Sequence, residues 1–147
     1  TIAVTGLETA PILYLNVSRP AVTDHALTLA GQTEVETFHV TLARLDDLGL
    51  DLGTDFTLPT PPTDLRLKQE VRLVDTGAKR ACYVEVDEEG QMRLREYLAA
   101  CERILGLSLD QDRRVFHVTL SNAGDGAVRA SVGAVWDYPS CVLAPST

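Results

Sequence analysis

Cationic residues are scarce in this chain. Thirteen Lys and Arg stand against 21 Asp and Glu, a net charge of −8 over 147 residues. A protein that coats long RNA or DNA carries the opposite excess. The balance argues against an extended nucleic-acid surface, while leaving room for a small nucleotide in a locally basic cleft. Cysteine is also sparse: Cys82, Cys101 and Cys141 are odd in number and form no CxxC pair. No Cys/His grouping has zinc-ligand spacing, so no metal site is expected. Small buried thiols in a reduced, cytoplasmic protein are the simplest expectation. No apolar run reaches bilayer length, and Thr1-Ile2-Ala3 lacks the basic start and apolar core of a signal peptide. No membrane partner is expected. Trp136 is the single tryptophan; packing is its default role, and stacking on a base is the functional alternative.

What the chain does have is a repeated word. Phe-His-Val-Thr-Leu occurs at Phe38–Leu42 and again at Phe116–Leu120. Side chains on a strand alternate between faces. Phe38, Val40 and Leu42 therefore share one face, and His39 and Thr41 share the other. The same split separates Phe116, Val118 and Leu120 from His117 and Thr119. Two apolar faces are predicted to enter a core, and two His/Thr pairs to point away from it. The third histidine, His25, has no such partner and reads as a solvated helix residue.

The rest of the chain organises around these words. Pro11–Val17 alternates as a strand, with Tyr14 and Asn16 opposite Leu13, Leu15 and Val17. Ala21–Ala30 reads as a short helix closed by Gly31, and Val35–Arg44 as the first repeat strand. Asp46–Asp64, rich in Asp, Gly, Thr and Pro, reads as a surface loop and a hinge between halves. Leu65–Asp75 alternates, with Lys68 and Arg72 on its polar face. Thr76-Gly77 signals a turn, and Arg80–Val86 completes a hairpin. Gln91–Leu105 is the clearest helix, with Leu94, Tyr97, Leu98, Cys101, Ile104 and Leu105 on one stripe, and Gly106 ends it. The acidic run Asp87-Glu88-Glu89 suits its N-terminus. Arg113–Ser121 is the second repeat strand, Asn122–Gly126 a loop, and the segment from Val135 to Pro145 a further strand. Ile12-Leu13-Tyr14-Leu15-Asn16-Val17 and Ala81-Cys82-Tyr83-Val84-Glu85-Val86 each precede a helix and a His-x-Thr strand. The chain thus reads as two β-α-β units in tandem. The expected fold is α+β: one domain over residues 1–147, with two pseudosymmetric lobes (roughly 1–50 and 65–147). Each lobe has an antiparallel sheet and flanking helices, and a cleft lies between them.

A twofold arrangement would bring both His/Thr faces to that cleft. Metal-free cleavage of a phosphodiester needs a base, an acid and a group that holds the phosphate. Two histidines, each with an ordinary pKa of about 6.5, can divide the first two tasks near neutral pH. In-line displacement sets the entering and leaving oxygens on opposite sides of phosphorus, which suits a twofold pair. A threonine hydroxyl is a donor to a non-bridging oxygen. Tyr14 and Tyr83 lie on the same faces, as base-stacking candidates or as half-buried strand tyrosines. Lys68 and Arg72 are candidates for phosphate contacts or members of a solvated sheet face.

The two motifs, in matching strand contexts, resemble the signature of the 2H phosphoesterase superfamily. That resemblance implies a metal-independent phosphodiesterase without a cofactor. In it, His39 and His117 are general base and acid in either order, and Thr41 and Thr119 bind phosphate. The expected substrate is a nucleotide or RNA-end phosphodiester, foremost a 2′,3′-cyclic phosphate. The compact chain is also similar to phage nucleases that destroy cyclic-oligonucleotide immune signals, which makes cyclic di- or trinucleotides the alternative substrate. A nucleotide-binding module without turnover is the alternative from outside enzymology.

Overall fold

The computed structural model describes residues 1–9, 12–30, 33–43, 57–75, 80–109, 115–123 and 140–145. In chain order the elements are β1 (Ile2–Glu8), β2 (Leu13–Val17), α1 (Thr23–Ala30), β3 (Thr33–Glu34), β4 (His39–Ala43), β5 (Asp64–Leu65), β6 (Glu70–Asp75), β7 (Arg80–Glu85), α2 (Glu88–Leu105), β8 (His117–Ala123) and β9 (Ser140–Pro145). Among the described residues every strand pairing is antiparallel. The strands form one curled sheet in the order β5-β1-β2-β4-β8-β7-β6-β9, with β3 also on β8. With α1 and α2 beside this sheet, the described residues form an α+β arrangement.

The two copies of the repeated word are neighbours at the centre of this sheet. One apolar face of the sheet packs with the helices into a single cluster. It holds Leu13, Leu15, Val40, Leu42, Val84, Phe116, Val118 and Leu120, together with Leu94, Leu98 and Cys101 of α2. Burial of Leu94 and Leu98 stabilises the fold by about 1.5–3 kcal/mol each. Asp87 caps α2, its carboxylate accepting from the Gly90 N–H at 2.8 Å. Gly106 ends the helix with φ 70°, a left-handed conformation suited to glycine, and its N–H donates to the Glu102 carbonyl. Arg19 donates to Asp24 and Glu34, both at 2.7 Å, and so ties α1 to β3.

Several elements depart from the sequence expectations. A strand, β1, precedes Pro11, where none is predicted. Its register shifts between Val4 and Gly6, which spoils the period-two alternation that would have announced it. The strand predicted over Val35–Arg44 begins only at His39. The preceding residues carry the chain from β8, where Val35 N donates to Leu120 O, to β2, where Phe38 O accepts from Val17 N. Leu65–Asp75 is broken into β5, an isolated bridge from Leu67 to Val86, and β6. The chain changes neighbours there: Thr63 O accepts from Val4 N, while Lys68 N donates to Glu85 O. Asn122 and Ala123 belong to β8 rather than to a loop. Ile104, placed on the buried stripe by sequence, is 47% exposed. Gly31, Thr76-Gly77, Trp136 and most of the Asp46–Asp64 loop lie outside the described residues.

Gly90 packs in the first turn of α2, where an added Cβ would collide with the Val86 side chain. Gly90→Ala gains helix propensity of about 1 kcal/mol but overpacks a β-branched neighbour with little rotamer freedom. The net expectation is a loss of about 1 kcal/mol or more, read as a lower urea midpoint. An unchanged or higher midpoint contradicts the packing account.

Candidate active site

β4 and β8 pair through Val40 and Val118. One step along this antiparallel register in each direction sets His39 across from Thr119 and Thr41 across from His117. A local twofold axis thus passes between the two valines. The flanking strands obey it. On β2, Tyr14 pairs with Thr41, Leu15 with Val40 and Asn16 with His39. On β7, Tyr83 pairs with Thr119, Val84 with Val118 and Glu85 with His117. Both ladders shift at the same place, between Leu13 and Tyr14 and between Cys82 and Tyr83. The extra residue is the closing leucine of each pentapeptide, Leu42 or Leu120. Such a bulge turns the strand immediately after the His-x-Thr triplet and ends the shared face.

Across that face runs one row of Asn16, His39, Thr119, Tyr83 and Arg72, and a second row of Glu8, Tyr14, Thr41, His117 and Glu85. His39 and His117 are diagonal neighbours across β4 and β8. In a regular sheet that relation separates the residues by about 7–8 Å. The structure therefore brings together the four residues singled out by the repeat.

Each imidazole is held in the same way. Tyr14 meets His39 edge-on with ring centroids 5.4 Å apart, and Tyr83 meets His117 at 5.2 Å; both interplanar angles are 64°. His117 Nδ1 lies 3.0 Å from the Val115 carbonyl, which only accepts, so this nitrogen carries a hydrogen. The Thr37 backbone favours the charged form of the His39 ring, and the Nε2 of His39 is buried without a hydrogen-bond partner. The Val115 carbonyl fixes the His117 tautomer and leaves its Nε2 for other partners. Tyr14 and Tyr83 orient the rings; Tyr83, 3% exposed, offers no free face for a stacked base.

The face is sheltered rather than open, contrary to the simple picture of polar pairs pointing into water. Thr41, His117 and Thr119 are buried, and His39 is half-buried. Burial pushes the His39 pKa below the ordinary imidazole value, against the opposing bond to Thr37. The hydroxyls of Thr41 and Thr119 and the Nε2 of His39 are buried without hydrogen-bond partners. Leaving a buried polar group unpaired costs about 1–3 kcal/mol. Three such groups on one face form a set of directed polar atoms that an anion with several acceptor oxygens would satisfy.

Lys68 and Arg72 reach the second half of the face, but neither is an isolated cation. Lys68 Nζ lies 3.2 Å from Glu85 and 3.1 Å from Glu88, and Arg72 lies 3.7 Å from Glu85 and 3.3 Å from Glu70. Glu85 and Asn16 were missed as site residues by sequence reasoning. The signal for them was present, since they occupy the matching polar position in the Tyr-aliphatic-polar-Val words. Gln91 was missed too. Its amide donates to the carbonyls of Val86 and Phe116 at 2.9 and 2.8 Å, and it accepts from the Phe116 N–H at 2.9 Å. It pins β7 to the residue beside His117. Position 22 in the first half holds valine. His25 is exposed and apart from the site, and Trp136 lies outside the described residues.

The unpaired hydroxyls make a test possible without any substrate. Thr41→Val and Thr119→Val keep shape while removing an unsatisfied group, so each should leave thermal stability unchanged or raise it by about 1 kcal/mol. Gln91→Leu should instead lose about 1–3 kcal/mol by stranding the Phe116 N–H. Destabilised valine variants, measured by urea unfolding, would contradict the assignment of these hydroxyls as unpaired. A comparison of the chain with protein-family models, curated proteins and solved structures found no match.

Proposed function

We propose that this protein is a metal-independent phosphodiesterase of the 2H type. Its two repeat units would act as lobes around one cleft, hydrolysing a nucleotide or RNA-end phosphodiester, foremost a 2′,3′-cyclic phosphate. The observation that carries this reading is the matched register that sets two His-x-Thr triplets, each with an edge-on tyrosine, across a local twofold axis. His117 has its Nδ1 occupied by the Val115 carbonyl, so Nε2 is its working atom, and Nε2 of His39 takes the matching role in this reading. A neutral Nε2 takes a proton from the attacking water, and a protonated one gives a proton to the departing oxygen. The Thr41 and Thr119 hydroxyls donate to the non-bridging oxygens, whose charge grows as the reaction proceeds. In this reading one base and one acid act on opposite sides of a phosphorus bound between the two rings, which the diagonal spacing supports.

The acidic surface is compatible with a small substrate, for which the local face matters more than the global charge. The sheltered character of the face also favours a compact ester over a long polymer. Lys68 and Arg72 are tied up by carboxylates, so the phosphate would depend chiefly on the histidines and threonines.

Two outcomes are expected. Purified protein should open 2′,3′-cyclic nucleotides to a monophosphate, with activity retained in excess EDTA. Consumption of 3′,5′-linked cyclic dinucleotides alone would instead select the alternative substrate class. His39→Ala and His117→Ala should each lower kcat by about 10²–10⁴-fold while nucleotide binding, followed by calorimetry, persists. Binding with no turnover in the wild-type protein, across both substrate classes, would make the chain a nucleotide-binding module.

A further inference from the structure

The local twofold symmetry is broken at one position beside the imidazoles. Tyrosine, aliphatic residue, bulge and ring angle all match between the halves. The residue directly across from His39 is Asn16, a neutral amide. The residue directly across from His117 is Glu85. Resting on the phosphodiesterase reading, we propose that Glu85 assigns the roles: His117 holds the proton and delivers it to the leaving oxygen, and His39 stays neutral and receives the proton of the nucleophile.

The charges around both rings support that assignment. Directly opposed residues in an antiparallel pair have Cβ atoms about 4.5–5.5 Å apart. A carboxylate on the residue facing an imidazole favours the imidazolium over the neutral ring. The Glu85 side chain is only 16% exposed, so water screens it poorly. Lys68 and Arg72 bind it, but they approach from the β6 side, whereas His117 lies on the β8 side. Those two cations also contact Glu88 of α2 and Glu70 of β6. Among the described residues, Lys68 and Arg72 thus share themselves over Glu85, Glu88 and Glu70. Thr41, on the opposite side of His117, is neutral. Around His39 the opposed groups are Asn16 and Thr119. Beyond Asn16 lies Glu8, whose carboxylate accepts from the Asn16 amide at 3.5 Å and so meets His39 only through that amide. Burial disfavours charge on His39 and acts on the buried His117 as well, so the difference between the rings rests on Glu85 standing where the first half has Asn16.

The proton inventory closes. Water gives one proton to His39 Nε2 as its oxygen bonds to phosphorus. The bond from phosphorus to the ester oxygen breaks, and that oxygen takes the proton of His117 Nε2. Exchange with solvent then returns both rings to their starting states. Glu85 touches neither water nor ester in this scheme; it is a positioning residue that acts through His117.

Two measurements on the full chain test the assignment. Imidazole resonances followed by ¹H–¹⁵N NMR across pH should show His117 protonated to higher pH than His39. Glu85→Gln should lower the His117 midpoint and leave His39 in place, and the reciprocal Asn16→Asp should raise His39. A His39 midpoint above that of His117, or a His117 midpoint unmoved by Glu85→Gln, overturns the assignment whether or not the protein turns over any ester. The second measurement uses a nucleoside p-nitrophenyl phosphodiester, whose leaving group departs without a proton. His117→Ala should lose far less activity on this ester than on a dinucleoside ester, while His39→Ala should lose equally on both. The opposite pattern reverses the roles.

Discussion

One rung of sheet, the antiparallel pairing of Val40 with Val118, sets every other relation in the site. Strand pairing is a constraint of period two, so a shift of either strand by one residue would send its histidine to the apolar side and its valine to the polar side. The register is protected from slipping by what lies behind it. Val40, Val118, Leu42, Leu120 and Phe116 are all buried in the core, and a slip of either strand would turn its apolar residues onto the polar face and its imidazole into the core. The hydrophobic effect thereby fixes the position of polar groups it does not touch.

The polar face bears a cost that the apolar face offsets. Three of its heteroatoms are buried and unpaired. Such groups persist in a folded chain when the surrounding structure over-determines them, and they concentrate where ligands supply the missing partners. The leucine-terminated bulges confine this face to a single triplet per strand. A tyrosine edge against each ring, and the Val115 carbonyl on His117 Nδ1, hold the imidazoles in place. Gln91 adds rigidity in the second half alone, so the two His-x-Thr strands share a geometry but not a support.

Much of the site was legible in the sequence. Two identical pentapeptides with strand periodicity specify which side chains share a face, and the preceding Tyr-aliphatic-polar-Val words specify which strands flank them. The long helix was legible because Leu94, Leu98 and Cys101 repeat at helical spacing and Asp87 and Gly106 mark its ends. The adjacency of β4 and β8 was not legible. Pairing between strands 78 residues apart leaves no local trace in either one. The strand β1 was hidden by its own irregularity at Gly6. The division of Leu65–Asp75 was hidden because alternation continues through it while its neighbours change. Glu85 and Asn16 look like ordinary surface-strand residues until the register sets each beside a histidine.

The account turns on both imidazoles sharing one anion. The direct measurement is a titration of the ¹⁵N-labelled protein with a nucleoside 2′-monophosphate, following the Nε2 resonances of His39 and His117. Movement of both along a single binding isotherm, weakened together by Thr41→Val or Thr119→Val, is the predicted result. Movement of one ring alone, or of neither, would contradict a common site.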